Sequence, residues 1–170
     1  MMNALTKTLA CLALVGFAGY AQQGATAPGS EARFLKLSRD QDGGGNSCSI
    51  PIIRKDIQLG DDAYGCENDD MRWFQLDNVR SATLIVFESE DCDDTWGWVY
   101  KIRTYIDPIT TERHSIDNLE DHTKGDILTR GVVVDYIRKH EGSINDGKLS
   151  CVRIYPSELP PPDTGKTGSE

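Results

Sequence analysis

Residues 82–102 read ATLIVFESEDCDDTWGWVYKI, and this stretch decides the fold class. Its first part, Ala82–Phe87, is rich in β-branched residues and too short for a typical helix, which predicts a strand. From Thr95 to Ile102 large apolar residues occupy every second position, which is also typical of a strand. Four large side chains then share one face: Trp96, Trp98, Tyr100 and Ile102. We predict that this face belongs to the core; the alternative is a platform that binds a sugar or a protein.

Several other segments show the same strand pattern. The clearer ones are Val132–Ile137 and Leu149–Tyr155, and Asn145-Asp146-Gly147 between them supplies the residues that a tight hairpin needs. We therefore predict that these two strands are hairpin partners. Weaker candidates are Phe34–Leu37, Ile52–Leu59 and Arg72–Leu76. A total of about seven or eight strands without paired helices predicts an all-β, Greek-key β-sandwich.

One long segment lacks this pattern. Asp107–Gly125 is polar and contains only scattered isoleucine and leucine residues. We predict that it is a connection across the domain with at most one short helix, near Ile116–Asp121.

The two ends of the chain differ in composition from its middle. Residues 1–21 carry one early charge, Lys7, then an apolar run and small residues before Gln22, which predicts a cleaved signal peptide and a secreted protein, extracellular or periplasmic. The apolar run is too short to cross a bilayer, which needs about 20 residues. Residues 22–31 and 156–170 are poor in apolar side chains, which predicts disordered tails around one domain at 32–155. The loop Asp40–Ser47 is expected to be flexible on the same ground.

The chain is acidic. Removal of residues 1–21 takes away one lysine and no acid, which moves the formal net charge from −9 to −10. Such a surface argues against nucleic acid or an anionic membrane as a partner. It favours solubility, cation binding or a basic protein partner.

Four cysteines remain after the predicted cleavage: Cys48, Cys66, Cys92 and Cys151. An even number in an exported chain predicts two disulfides, with three possible pairings. No short Cys-x-x-Cys clamp indicates a metal site. Loop-closure entropy gives nearly equal stabilisation for the competing pairings, so it does not choose among them.

No catalytic motif is evident. The histidines His114, His122 and His140 lack metal-ligand spacing, and no Gly-x-Ser-x-Gly marks a nucleophile. Cysteines paired in disulfides offer no thiol nucleophile. The sequence therefore favours a non-enzymatic binding module over an enzyme.

Carboxylates form two clusters along the chain: Asp61, Asp62, Glu67, Asp69 and Asp70, then Glu88, Glu90, Asp91, Asp93 and Asp94. A solvated acidic surface is the simplest interpretation. Loop carboxylates are also what a weak extracellular calcium site needs, so the second hypothesis is a calcium-stabilised structural or stress domain. A third hypothesis is a polysaccharide hydrolase, in which Asp70 and Glu90 act as acid and base beside Trp96.

Residues 66–92, CENDDMRWFQLDNVRSATLIVFESEDC, resemble secreted microbial domains of the βγ-crystallin superfamily. The family's Cys-x-Asn-Asp opening is matched by residues 66–69. Its Leu-x-x-Val-x-Ser turn into a strand that ends in Phe or Tyr is matched by Leu76, Val79, Ser81 and Phe87. The resemblance implies a two-sheet sandwich of two four-stranded Greek keys. Secreted members include protease inhibitors and small toxins, which implies a binding or inhibitory role toward an extracellular protein.

The resemblance also bears on calcium and on the disulfides. Asn68 and Asp69 match the first two positions of the family's calcium motif, but Arg72 and Trp73 stand where two hydroxyl residues belong, so no metal ligands are assigned here. The resemblance favours a disulfide between Cys66 and Cys92, which would lie on either side of one strand-turn-strand unit. Cys48–Cys151 would then tie the two ends of the core together.

Overall fold

The described residues form ten short antiparallel β-strands. The computed structural model describes residues 31–61, 63–139 and 148–158. The strands are β1 (Phe34–Ser38), β2 (Ser47–Pro51), β3 (Lys55–Gln58), β4 (Trp73–Asp77), β5 (Leu84–Glu88), β6 (Val99–Thr104), β7 (His114–Ser115), β8 (Ile127–Thr129), β9 (Val132–Arg138) and β10 (Cys151–Tyr155). Three short 3-10 helices lie between them, at Leu59–Asp61, Ala63–Gly65 and Asp117–Asp121.

The strands form two sheets. One has the order β2-β1-β4-β7 and the other the order β3-β10-β5-β6-β9-β8, with antiparallel neighbours throughout. In the larger sheet the last strand, β10, returns to lie beside β5, the first of the series β5, β6 and β9. The spatial order β10-β5-β6-β9 is that of a Greek key, although β7 and β8 lie between β6 and β9 in the chain. The predicted fold class, a disulfide-stabilised all-β sandwich, is confirmed.

The core lies between the two sheets. On β1, β2 and β4 every second side chain points inward, as the pleat requires, for example Leu35 and Leu37 on β1. The rings of Phe74 on β4 and Phe87 on β5 meet across the sandwich, with centroids 5.1 Å apart. Burying each such side chain stabilises the fold by about 1.5–3 kcal/mol.

The predicted hairpin between the last two strands is wrong. β9 lies between β6 and β8, whereas β10 lies between β3 and β5, with Val152 opposite both Ile57 and Phe87. Turn residues specify a local reversal of the chain but not which strand lies alongside. The proposed turn, Asn145-Asp146-Gly147, falls outside the described residues.

The strand predicted at Thr95–Ile102 begins only at Val99. Trp98, Tyr100 and Ile102 are buried as predicted, but Trp96 is 69% exposed. The cause is Gly97, whose φ of +69° turns the backbone and breaks the alternation.

The strand count also differs from the prediction. β2 was not anticipated, and β7 and β8 are short strands in and just after the segment predicted to be a polar connection. Very short edge strands carry little apolar pattern, because one or two pairings suffice to form them. The short helix expected near Ile116–Asp121 is present as the 3-10 helix Asp117–Asp121.

All four predicted cysteines form disulfides, but the favoured pairing is wrong. The bonds are Cys48–Cys66 and Cys92–Cys151, with Cα atoms 5.1 Å apart in each. Cys66 follows a 3-10 helix that packs beside β2, which carries Cys48. Cys151 on β10 lies opposite Glu88, the last residue of β5, so the chain beyond β5 folds back over the adjacent strand. Each bridge thus joins segments that the sheets have already brought together.

Disulfides of this kind are typical of oxidising compartments. Within the described ranges, no helix has the length and hydropathy that a membrane span requires.

Candidate functional site

The connection from β5 to β6 displays the most exposed large apolar side chain of the described residues. We call this connection, Ser89–Gly97, the Trp96 loop. Trp96 exposes 69% of its surface. The carboxylates Glu90, Asp91, Asp93 and Asp94 are exposed on the same loop. Burying the indole would be favourable, so its exposure contributes nothing to the stability of the fold.

The first half of the loop is anchored covalently and by hydrogen bonds. Cys92 is bonded to Cys151 on β10. The Cys92 backbone N–H donates to Gln58 Oε1 at 2.8 Å, and Gln58 Nε2 donates to the Asp91 carboxylate. Arg153 Nη2 donates to the carbonyl oxygen of Cys92. Strands β3 and β10 therefore both hold this half of the loop.

The second half is fixed by a close approach of backbone to side chain. The Trp98 N–H donates to Ser89 Oγ at 3.0 Å, and the Ser89 N–H donates to the Trp98 carbonyl at 3.2 Å. Gly97 fits between them with positive φ, and a Cβ atom there would lie 1.9 Å from Ser89 Oγ. No other residue type can adopt this backbone without displacing Ser89.

Arg138 at the end of β9 is a third anchor. Its Nη2 donates to the Trp96 carbonyl at 2.9 Å, and its Nε donates to the Gly97 carbonyl at 3.2 Å. The Trp96 loop, Arg138 and Lys139 also line a shallow depression of about 240 Å³. The tryptophan is thus displayed from a loop whose backbone is held on both sides of it.

Carboxylates next to the loop are paired with Arg153, whereas two carboxylates on the loop have no ion-pair partner among the described residues. Arg153 forms ion pairs with Glu88 at 3.0 Å and Asp56 at 2.6 Å. Partial burial lowers the pKa of Arg153. The hydrogen bond to Glu88 and the negative charges of Glu88 and Asp56 have a larger opposite effect, so the pKa is raised overall. Among the described residues, no ion pair engages Asp93 or Asp94. The loop therefore carries two uncompensated carboxylates, Asp93 and Asp94, whereas the depression beside Trp96 is lined by the cations Arg138 and Lys139.

The two carboxylates suggested for a hydrolase, Asp70 and Glu90, have different neighbours. Asp70 accepts a hydrogen bond from Asn46 at 2.7 Å and is paired with Arg39 at 3.6 Å. Glu90 belongs to the Trp96 loop, where its Oε1 lies 3.4 Å from Ser89 Oγ. Each carboxylate is held by its own neighbours, and no described residue forms a hydrogen bond or ion pair with both.

The residues that match the calcium motif contact each other and the chain near β10. Asn68 Nδ2 donates to Asp69 Oδ2 at 3.2 Å, and Ser150 Oγ donates to Asp69 Oδ1 at 3.4 Å. In the part of the chain that the structure describes, no group of three or more His, Cys, Asp and Glu side chains is arranged to hold a metal ion.

The histidines occupy separate positions. His114 on β7 is half-buried with its ring 5.7 Å from that of Phe74, and burial lowers its pKa despite an opposing effect of Glu112. His122 lies 3.7 Å from Asp126 on the surface. His140 falls outside the described residues.

Sequence reasoning missed the residues that hold the loop, Gln58 and Arg138. Their hydrogen-bond partners are mostly backbone atoms, which leave no pattern in the sequence. Gly97 did carry a signal, because a glycine inside a strand pattern often marks a bend.

Comparison with known proteins gave no match: no family model, no curated protein and no solved structure is significantly similar to this chain.

Proposed function

We propose that this chain is a secreted, non-enzymatic binding or inhibitory module that engages an extracellular protein partner through the Trp96 loop. The observation that carries the proposal is Trp96 itself, an indole that is 69% exposed on a backbone anchored by a disulfide and by Arg138.

An exposed tryptophan is well suited to protein recognition. Tryptophan is enriched among the residues that contribute most to binding at protein interfaces, where it inserts into a pocket of the partner. Ordering a flexible loop on binding costs free energy, and a loop that is already fixed avoids most of that cost. The anchors at Cys92, Ser89 and Arg138 therefore favour a role in binding.

The charge of the loop indicates the kind of partner. Asp93 and Asp94 add a negative field to a chain of formal net charge −9. Such a field accelerates the approach of a basic surface and disfavours acidic ones. We infer a partner with an apolar pocket for the indole and a basic surface that faces Asp93 and Asp94.

The signal-like N-terminus and the two disulfides support export of the chain. The inhibitory part of the proposal rests on the resemblance of residues 66–92 to βγ-crystallin domains, which implies secreted inhibitors and toxins on a two-sheet sandwich.

Titration of the oxidised protein against a panel of extracellular proteases and cell-surface proteins tests the proposal. We expect Trp96→Ala to weaken binding to the recognised partner about 30-fold, which corresponds to roughly 2 kcal/mol. Tyr105→Ala is the matched control, because Tyr105 is 47% exposed and follows the opposite end of β6. Binding that Trp96→Ala leaves unchanged, or no binding to any member of a broad panel, would count against the proposal.

A second variant tests the charge. Asp93→Asn with Asp94→Asn is expected to slow association and to flatten its dependence on salt, with little effect on dissociation. An unchanged association rate would show that the acidic rim plays no part in recognition.

A further inference from the structure

A second pocket lies at the end of the sandwich where β1 begins and β2 and β10 end. It has a volume of about 150 Å³ and is lined by Arg33, Ile52, Arg80, Thr83, Pro156 and Ser157. The pocket is assembled by the sandwich itself, since its lining residues flank four different strands. It is separate from the Trp96 loop, with which it shares no residue.

Two of the residues that line the pocket each carry a buried polar atom with no hydrogen-bond partner among the described residues. Thr83 is 0% exposed, yet its Oγ1 is unpaired. The Nε atom of Arg33 is also shielded from solvent and unpaired. Buried hydroxyl and guanidinium groups are almost always paired, because leaving one unpaired costs about 1–3 kcal/mol. Two such donors at one pocket are therefore an unusual coincidence.

The second charged group that lines the pocket, Arg80, is also a cation. Arg80 lines the pocket and is paired with Asp107 at 3.4 Å, so one of the two arginines already has a counter-charge. Arg33 has none among the described residues. The pocket therefore has a positive charge in excess, on a chain that is acidic as a whole.

We propose that this pocket binds a small monocarboxylate with a short apolar chain. A planar guanidinium matches a carboxylate with two parallel hydrogen bonds, and the Thr83 hydroxyl can donate a third. Ile52 and Pro156 provide apolar walls, which suit a hydrocarbon chain better than a hydrated inorganic anion. The volume corresponds to about five water molecules at roughly 30 Å³ each, which limits the ligand to a small molecule.

Hexanoate is a suitable probe. Its eight heavy atoms and modest ligand efficiency lead us to expect a dissociation constant of about 1 mM. The measurement is a titration of the ¹⁵N-labelled, oxidised protein with sodium hexanoate at constant ionic strength, followed by NMR at the Arg33 Nε–H and the Thr83 amide. We expect saturable shifts at both.

Variants separate a built site from nonspecific attraction. Thr83→Val removes only the unpaired hydroxyl, so it should leave the melting temperature unchanged or raise it while weakening hexanoate binding about 10-fold. Arg33→Gln should abolish binding. Lys36→Gln is the control, because it removes one positive charge from an ion pair with Asp77 at 2.7 Å and should leave the affinity unchanged.

Four outcomes would overturn the proposal. Without saturable shifts, the pocket has no carboxylate site. Equal affinity of Thr83→Val and the unchanged protein for hexanoate would show that the Thr83 hydroxyl does not bind the carboxylate. Equal binding of 1-hexanol would show that charge is not recognised, and equal binding of inorganic phosphate would show that the apolar walls contribute nothing.

Discussion

Replacement of Gly97 by alanine tests the close approach that holds the Trp96 loop. The substitution has two separate costs. A residue with a Cβ atom at φ of +69° is strained by about 1–2 kcal/mol. The new methyl group would also lie 1.9 Å from Ser89 Oγ and 2.8 Å from Glu90 Cγ, and overpacking of this kind typically costs about 1–3 kcal/mol. We therefore expect Gly97→Ala to lower the free energy of unfolding by about 2–5 kcal/mol.

Gly125→Ala isolates the backbone contribution. Gly125 also has positive φ, at +98°, but a Cβ atom there would meet nothing within 4 Å. Urea unfolding should therefore show a loss of only about 1–2 kcal/mol for Gly125→Ala. The reasoning would be refuted if the two variants were equally destabilised, because the contact with Ser89 would then carry no cost.

Three further predictions concern the rest of the fold. Replacing Cys92 and Cys151 by serine should lower the free energy of unfolding by about 4 kcal/mol, because that disulfide closes a loop of 59 residues. Replacing Cys48 and Cys66 should lower it by about 3 kcal/mol, because that loop has 18 residues. Urea unfolding measures both losses, and equal or reversed values would contradict the estimate. Because burial lowers the pKa of His114 below its ordinary 6.5, the folded state binds fewer protons than the unfolded state, so stability should fall as pH drops below about 6.5. His114→Phe should reduce that fall between pH 7.5 and about 5.5, whereas an unchanged slope would assign it to other groups. Calcium at about 1 mM should leave the melting temperature unchanged, and an increase would reveal a site that the described residues do not form.

The fold class was predictable because its signal is local. The β-branched run that became β5 and the alternation of Trp98, Tyr100 and Ile102 both predict strands with one buried face, and the structure has them. Trp96 was assigned to the same face because the period of two continues through it. The left-handed conformation of Gly97 interrupts that period, and a glycine in the sequence permits such a turn without requiring it.

The disulfide pairing was not predictable from the sequence. The pairing depends on which strands are adjacent, and the decisive placement is that of β10 beside β5, which brings Cys151 to the chain that carries Cys92. Loop-closure entropy differs too little among the possible pairings to select one. A family resemblance over residues 66–92 could suggest a bridge within that segment but could not place strands outside it.

The candidate site was predictable only in part. The acidic residues and the tryptophan were visible in the sequence, but their exposure was not. Arg138 holds the loop through the carbonyl groups of Trp96 and Gly97, and any residue can supply a carbonyl group. The pocket around Arg33 and Thr83 is likewise formed by segments that lie far apart in the chain.

The central claim of this account is that the Trp96 loop is held in one conformation before any partner arrives. Backbone ¹⁵N relaxation of the free, oxidised protein measures this directly for residues 89–97. We expect order parameters of about 0.85 through the loop, equal to those of β5 and β6. Values below about 0.6 at Asp94–Trp96 would show a flexible loop and contradict the claim.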